Sequence, residues 1–211
     1  RDERIPLPCH IFGSARQNSA GINLHSRSHY LPLYEQIDAY MTQSWQGASI
    51  IQGELVLQGE KKIIADPCNQ NRISGECFYA KEEDAVNAIH LAHSAFDRWH
   101  NTALSERAAY LNKMADLLET NRVELIALCH REAGKTLEDS IDEVREAVDF
   151  CRYYACQARA HFMKEKTLPG PTGELNQLYY SGRGVSACIS PWNFPLAIFT
   201  GQIAAALVTG N

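Results

Sequence analysis

The sequence lacks features that would place it in several special classes of protein. Its longest weakly polar run, Pro195 to Gly210, still contains three polar side chains and is shorter than the roughly 20 apolar residues of a membrane-spanning helix. Basic residues are not in excess, because 20 Lys and Arg stand against 25 Asp and Glu for a net charge of −5. That balance disfavours nucleic acids and acidic membranes as partners. We therefore predict a soluble protein.

Paired cysteines are missing as well. The seven cysteines are odd in number and never spaced C-x-x-C, which argues against a disulfide framework or a zinc ribbon. Reduced thiols in a cytoplasmic protein are the simpler interpretation. The chain also lacks a Met at position 1, and Arg1 to Pro8 resembles neither a signal peptide nor a transit peptide. We therefore expect the numbering to begin inside a longer polypeptide.

The first part of the chain is predicted to be an arm followed by one helix and some strands. The first 29 residues are rich in Pro, Gly, Ser and Asn and have no sustained hydrophobic period, which is typical of an extended arm. Between Leu31 and Trp45, apolar residues recur at spacings of three and four, which predicts an amphipathic helix. Short β-branched runs from Ala48 to Ala65 predict a strand meander closed by Asp66 and Pro67.

Four successive helices are predicted from Glu82 onward, because apolar residues again recur at spacings of three and four. A second helix is expected to begin after an N-cap at Ser105, a third to run from Arg122 toward Ala133, and the longest from Leu137 to Phe162. Gly134 is expected to end the third helix. After a Pro- and Gly-rich break, residues 174–180 are strand-like. These apolar stripes must pack on one another or on a sheet.

The final segment is predicted to be a strand, a loop and a helix. Gly184 to Ile189 is typical of a buried strand, and Leu196 to Val208 is a helix that is apolar nearly all the way round. Such a helix needs cover from neighbouring parallel strands. The chain ends at Asn211, before a second strand. The expected fold class is α/β: a helical bundle with short strands, followed by the first strand–helix unit of an incomplete Rossmann-like domain.

Two weaker patterns carry little weight. Gly182 to Ala187 matches G-x-G-x-x-G/A, but it precedes the predicted strand, whereas a dinucleotide site needs the pattern after a strand, so a turn is favoured. The pairs His25/His29 and His90/His93 have spacings that suit two ligands on one helix face, but no third ligand is implied. We therefore predict no metal site.

The loop from Pro191 to Pro195 is the most informative motif. Ligands bind at the carboxyl ends of strands in open α/β sheets. The Asn193 side-chain amide can donate a hydrogen bond to an oxyanion that develops during a reaction. Alternatively, Asn193 serves the turn between two prolines. Position in the sequence leaves both interpretations open.

Five segments resemble parts of known enzymes. Gly184 to Asn211 resembles the signature segment of the NAD(P)-dependent aldehyde dehydrogenase superfamily. Arg131 to Thr136 and Glu138 to Arg159 are similar to the 1-pyrroline-5-carboxylate (L-glutamate γ-semialdehyde) dehydrogenase domain of bifunctional flavoenzymes that also carry a proline dehydrogenase barrel. Ile5 to Pro8 and Asn18 to Leu24 resemble the linker that leaves that barrel. The resemblance implies that residues 1–47 are a linker arm and helix, and that 48–211 are the N-terminal part of the aldehyde dehydrogenase domain and fold.

The resemblance also implies a reaction and a set of site residues. The parent enzyme is expected to oxidise L-glutamate γ-semialdehyde to L-glutamate with NAD in proline catabolism. Asn193 matches the family's oxyanion-hole Asn, and Glu132 matches a carboxylate near the amino end of the substrate. The alternative for Glu132 is a solvated residue at a helix end. Cofactor contacts are implied for four successive residues, Ile189, Ser190, Pro191 and Trp192.

The family's catalytic Cys and general-base Glu are expected beyond Asn211, so the NAD site is incomplete here and the chain alone is expected to be inactive. FAD is expected only in the upstream proline dehydrogenase domain. The full-length protein is expected to be a cytoplasmic homo-oligomer that takes a small aldehyde, with peripheral association at the inner membrane and NADP use left open. Two alternatives stay open, an aldehyde dehydrogenase of other substrate range and a non-catalytic assembly module, and the sequence past Asn211 discriminates them.

Overall fold

A computed structural model describes residue 2 and residues 4–211. Within these residues the chain forms six helices and six strands, preceded by a short 3-10 helix at Pro8–His10. In chain order they are α1 Arg27–Asp38, β1 Trp45–Ile51, β2 Glu54–Val56, β3 Glu60–Asp66, β4 Asn69–Tyr79, α2 Glu82–His100, α3 Leu104–Thr120, α4 Arg122–Ala133, α5 Leu137–Phe162, β5 Lys166–Leu168, β6 Asn176–Leu178 and α6 Ala197–Val208.

The long helix α5 lies at the centre of the molecule and packs against α3, α4 and α6. Many of the residues in its contacts are small, which lets the helices approach closely; where α6 crosses α5, a Cβ on Gly201 would lie only 2.9 Å from the Phe150 ring. One core joins α3, α5 and α6, and a second joins α1, α4 and α5. The predicted apolar stripe of α5 is buried in both.

The end of α4 and the start of α5 follow local sequence signals. Thr136 precedes α5, and its Oγ1 accepts a hydrogen bond from the Asp139 backbone N–H at 3.1 Å, which is an N-cap. Gly134 follows α4 with φ +65°, a left-handed conformation that favours glycine. The predicted bounds of α4 and α5 are confirmed. The second predicted helix, α3, begins at Leu104, so the N-cap predicted at Ser105 is wrong and Ser105 lies in the first turn.

The four-stranded sheet differs from the predicted meander. Its strand order is β2-β1-β4-β3, and β1 pairs with β4 in parallel. The longest strand, β4, lies beyond the predicted closure at Asp66 and Pro67, and its mostly exposed, polar first half gives no alternating pattern. A second, two-stranded sheet pairs β5 with β6, and β6 falls within the predicted strand at 174–180.

The predicted helix from Leu31 to Trp45 is wrong in its second half. α1 ends at Asp38, and Trp45 is the first residue of β1, so this strand runs through the predicted boundary between residues 47 and 48. A distant side chain explains the difference: the buried Arg131 guanidinium donates to the Tyr40 carbonyl at 3.1 Å and lies 5.1 Å from the Trp45 ring. The division into two domains stays a prediction.

The N-terminal arm is tied to the bundle by carboxylates. Ser19 is buried, and its N–H and Oγ–H both donate to Asp149 of α5 at 2.8 Å. The Ala20 N–H donates to Glu119 Oε1 at 2.8 Å. Ser19 and Ala20 therefore hold this part of the arm in contact with α3 and α5.

The predicted buried strand from Gly184 to Ile189 is wrong. The segment is irregular, and Val185 and Ile189 are 44% and 86% exposed. A strand needs a neighbour to accept and donate its backbone hydrogen bonds, and in the described part of the chain none pairs with this segment. The N–H groups of Arg183 and Gly184 instead donate to Asn211 Oδ1. The helix that follows, α6, is confirmed. Among the described residues, no helix has both the length and the apolar character to cross a bilayer.

Candidate active site

An open cleft of about 630 Å³ lies where the end of α4 meets the loop that leads into α6. One wall comes from α4 and the turn to α5, one from the loop before α6, and Pro67 of the β3–β4 turn lies at the edge. The residues that line it are Pro67, Leu125, Leu128, Cys129, Glu132, Ala133, Gly134, Lys135, Thr136, Asp139, Trp192, Asn193, Pro195 and Leu196.

The helical wall presents Glu132 to solvent. Glu132 lies in the last turn of α4, one residue before the end of the helix, and its side chain is exposed. The left-handed Gly134 turns the chain sharply, and a Cβ there would lie 2.9 Å from Pro67 Cγ. The turn therefore packs tightly against the sheet while Glu132 faces the cleft.

The loop wall presents Asn193 and Trp192. Both residues are exposed, Trp192 to 89%, and both line the cleft. The loop is tied back to α6 by Gln202, whose Nε2 donates to the Ile189 carbonyl at 3.0 Å. Although the predicted strand is absent, Ile189 is held beside the second turn of α6.

A buried charge pair lies behind the cleft and joins its two walls. Glu143 of α5 is 2% exposed, and its Oε1 lies 2.9 Å from Lys135 Nζ. Its Oε2 accepts hydrogen bonds from the N–H groups of Leu196 and Ala197, at 3.2 and 2.8 Å. Lys135 Nζ also lies 4.8 Å from the centroid of the Phe194 ring.

Sequence reasoning assigned no role to Lys135 or Glu143. The available signal was spacing: Ser140, Glu143 and Ala147 follow each other at intervals of three and four on α5, and all three are buried. A carboxylate on such a buried line is expected to have a partner.

Cys129 is the cysteine that lines the cleft among the described residues. Burial, assisted by the negative charge of Glu143, raises the pKa of its thiol to about 12. A thiol is a nucleophile only as the thiolate, so at neutral pH Cys129 is unsuited to attack an aldehyde. Its position near Asn193 therefore does not make it a catalytic residue.

The structure brings some predicted site residues together and leaves others apart. Glu132, Trp192 and Asn193 line one cleft. Ile189, Ser190 and Pro191 lie in the same loop but outside the lining of the cleft. In the described part of the chain, no three His, Cys, Asp or Glu side chains cluster as metal ligands would.

Comparison with known proteins identifies the family. The model of the aldehyde dehydrogenase family matches residues 57–211, and the chain belongs to that family. The described helices and mixed sheet correspond to the N-terminal part of the aldehyde dehydrogenase fold.

The similar proteins include bifunctional PutA proteins and 1-pyrroline-5-carboxylate dehydrogenases. The chain is 41% identical over 209 residues to the bifunctional protein PutA of Salmonella typhimurium, and the aligned region covers 99% of this chain and 15% of that protein. It is 35% identical over 178 residues to a 1-pyrroline-5-carboxylate dehydrogenase of Anoxybacillus flavithermus, over 83% of this chain and 33% of that protein. A solved 1-pyrroline-5-carboxylate dehydrogenase from Thermus with bound NAD gives a TM-score of 0.83 at 29% identity, over 92% of this chain and 38% of that one. The chain thus spans 15% to 38% of these relatives.

Proposed function

We propose that this chain is part of an NAD-dependent dehydrogenase that oxidises L-glutamate γ-semialdehyde to L-glutamate in proline catabolism. The observation that carries the proposal is the cleft that Glu132 and Asn193 share. A carboxylate suits the ammonium group of an amino acid, and a neutral amide donor suits the oxygen of an aldehyde. The names of the relatives support this substrate.

Asn193 acts on the reacting carbonyl in this proposal. Its amide N–H donates to the aldehyde oxygen and donates more strongly as that oxygen becomes negative, which lowers the barrier rather than only binding the substrate. Glu132 accepts hydrogen bonds from the substrate ammonium group and so orients the substrate in the cleft. Cys129, the thiol that lines the cleft, is not the nucleophile in this proposal, because burial raises its pKa. The attacking thiolate is instead assigned to another part of the complete protein.

NAD fits the loop rather than the start of α6. The start of α6, an ordinary place for phosphate, is already next to a carboxylate, because the Leu196 and Ala197 N–H groups donate to Glu143. By contrast, Ile189 and Trp192 are 86% and 89% exposed. We therefore assign the contact with the cofactor to the loop from Ile189 to Trp192, and NAD when bound supplies the acceptor for the hydride. The Thermus relative with bound NAD supports this cofactor.

The test is an assay of the complete protein that contains this chain. Formation of NADH is measured with L-glutamate γ-semialdehyde and with glutarate semialdehyde, which lacks the amino group. We expect a higher kcat/KM for the amino substrate. Equal values would favour an aldehyde dehydrogenase of other substrate range, and no NADH with any aldehyde would favour a non-catalytic assembly module.

A further inference from the structure

The first turn of α6 is capped by a side chain from another helix. The residue before α6 is Leu196, whose side chain has no acceptor, so local sequence supplies no N-cap. Glu143 of α5 takes that place and accepts both the Leu196 and the Ala197 N–H through one oxygen. A negative charge at a helix N-terminus is favourable because it meets the positive end of the helix dipole.

The same carboxylate is coupled to the opposite wall of the cleft. Its other oxygen pairs with Lys135, whose side chain is only 15% exposed. Lys135 lies three residues after Glu132, and its ammonium also lies over Phe194, the residue next to Asn193. One charge cluster therefore links the segment that carries Glu132 to the segment that carries Asn193.

We propose that Glu143 and Lys135 are positioning residues that hold Asn193 in a fixed orientation relative to Glu132. The proposal rests on the proposed function of the cleft. An oxyanion donor lowers a barrier only when it is already oriented before the charge develops. The loop that carries Asn193 is exposed and irregular, so its orientation has to come from the rigid helix behind it.

The first measurement is amide hydrogen exchange at Leu196 and Ala197 in the complete protein, resolved to single residues. Glu143→Gln keeps the size of the side chain but removes its charge. Because the neutral amide oxygen of Gln accepts a hydrogen bond more weakly than a carboxylate, we expect exchange at these two amides to rise by about tenfold or more, while Ala204 in the middle of α6 stays unchanged. Unchanged exchange at both amides would overturn the proposal.

The second measurement is kcat in a double-mutant cycle with Asn193→Ala. If Glu143 acts through Asn193, Glu143→Gln lowers kcat by about tenfold in the wild-type background and causes no further loss when Asn193 is already Ala. A merely structural role predicts the same loss in both backgrounds, and that result would overturn the proposal. If Glu143→Gln does not fold, Lys135→Gln takes its place in the double-mutant cycle, because Lys135 is the more exposed member of the ion pair. The same loss of kcat in both backgrounds would again overturn the proposal.

Asp149→Asn is the matched control. Asp149 is also a carboxylate of α5 that accepts from a backbone N–H, but it holds Ser19 of the arm and lies away from the cleft. We expect it to lower the melting temperature without changing kcat. If the wild-type complete protein oxidises the aldehyde and Glu143→Gln keeps its kcat, only the positioning role fails. If the wild-type protein does not oxidise it, the proposed function fails, and the positioning role fails with it.

Discussion

The two walls of the cleft differ in how they are held. On the helical side, α4 ends at the left-handed Gly134, α5 begins at the Thr136 N-cap, and both helices bury apolar residues, with Ile126 only 1% exposed. On the other side, the segment from Gly184 to Pro195 has no regular structure, and Ile189 is 86% exposed. Both regions are apolar in sequence. The difference shows that an apolar segment forms a regular helix or strand only where its backbone N–H and C=O groups find hydrogen-bond partners.

An α-helix satisfies its hydrogen bonds within the segment, whereas a strand satisfies them with a neighbour. We therefore expect the helical wall to contribute most of the free energy of unfolding. The irregular wall contains Asn193, the residue proposed to act on the reacting carbonyl. The following predictions test this division.

The largest effect is expected for Asn193→Ala in the complete enzyme. Loss of one oriented oxyanion donor should lower kcat by ~10²–10³, with NAD affinity and melting temperature nearly unchanged because the side chain is exposed. The measurements are kcat, NAD affinity and melting temperature on the same variant. If the residue only shapes the turn, cofactor binding and stability should suffer as much as turnover.

A pair of isoleucines compares the stability of the two walls directly. Ile126→Ala should lower the free energy of unfolding by about 2–5 kcal/mol, because it leaves a cavity between α1, α4 and α5. Ile189→Ala, the control in the exposed loop, should change it by less than about 0.5 kcal/mol. Both values come from urea denaturation of the chain. Similar losses for the two variants would contradict the division.

The helical wall is also expected to recognise the substrate through Glu132. Glu132→Ala should raise KM for L-glutamate γ-semialdehyde by about 5- to 150-fold, which corresponds to about 1–3 kcal/mol for a charged hydrogen bond. KM for NAD should not change. Glu138→Ala removes an exposed carboxylate that does not line the cleft and serves as the control. Unchanged kinetics with Glu132→Ala would make this residue a solvated helix-end carboxylate.

The smallest effect concerns the turn that joins α4 to α5. Gly134→Ala should lower the free energy of unfolding by about 1–2 kcal/mol, the cost of a left-handed residue with a Cβ, and by more than Gly13→Ala. Both glycines have left-handed φ, +65° and +56°, but only Gly134 has Pro67 within contact of a new Cβ. The measurement is thermal unfolding of both variants. If Gly134→Ala and Gly13→Ala lower the free energy of unfolding equally, the turn relaxes away from Pro67.

Much of the candidate site was predictable because its signals are local. Asn193 and Glu132 lie in motifs that resemble the family, and the structure places both in one cleft. Their roles stay predictions. Lys135 and Glu143 received no role because their link is between distant segments, and no spacing rule connects a residue of α5 with the backbone of Leu196.

The fold was also predictable only where the signals are local in the sequence. The positions of α2, α4 and α5 followed from the sequence alone, because the period of the apolar residues acts within each segment. The position of α6 followed from its continuous apolar run, although its N-cap comes from α5. Tertiary structure decided three other features: the end of α1 at Asp38, the parallel pairing of β1 with β4, and the irregular course of Gly184 to Ile189. In each of these, the backbone hydrogen bonds depend on partners far away in the sequence or on the lack of one within the described residues, and a local pattern carries no information about such partners.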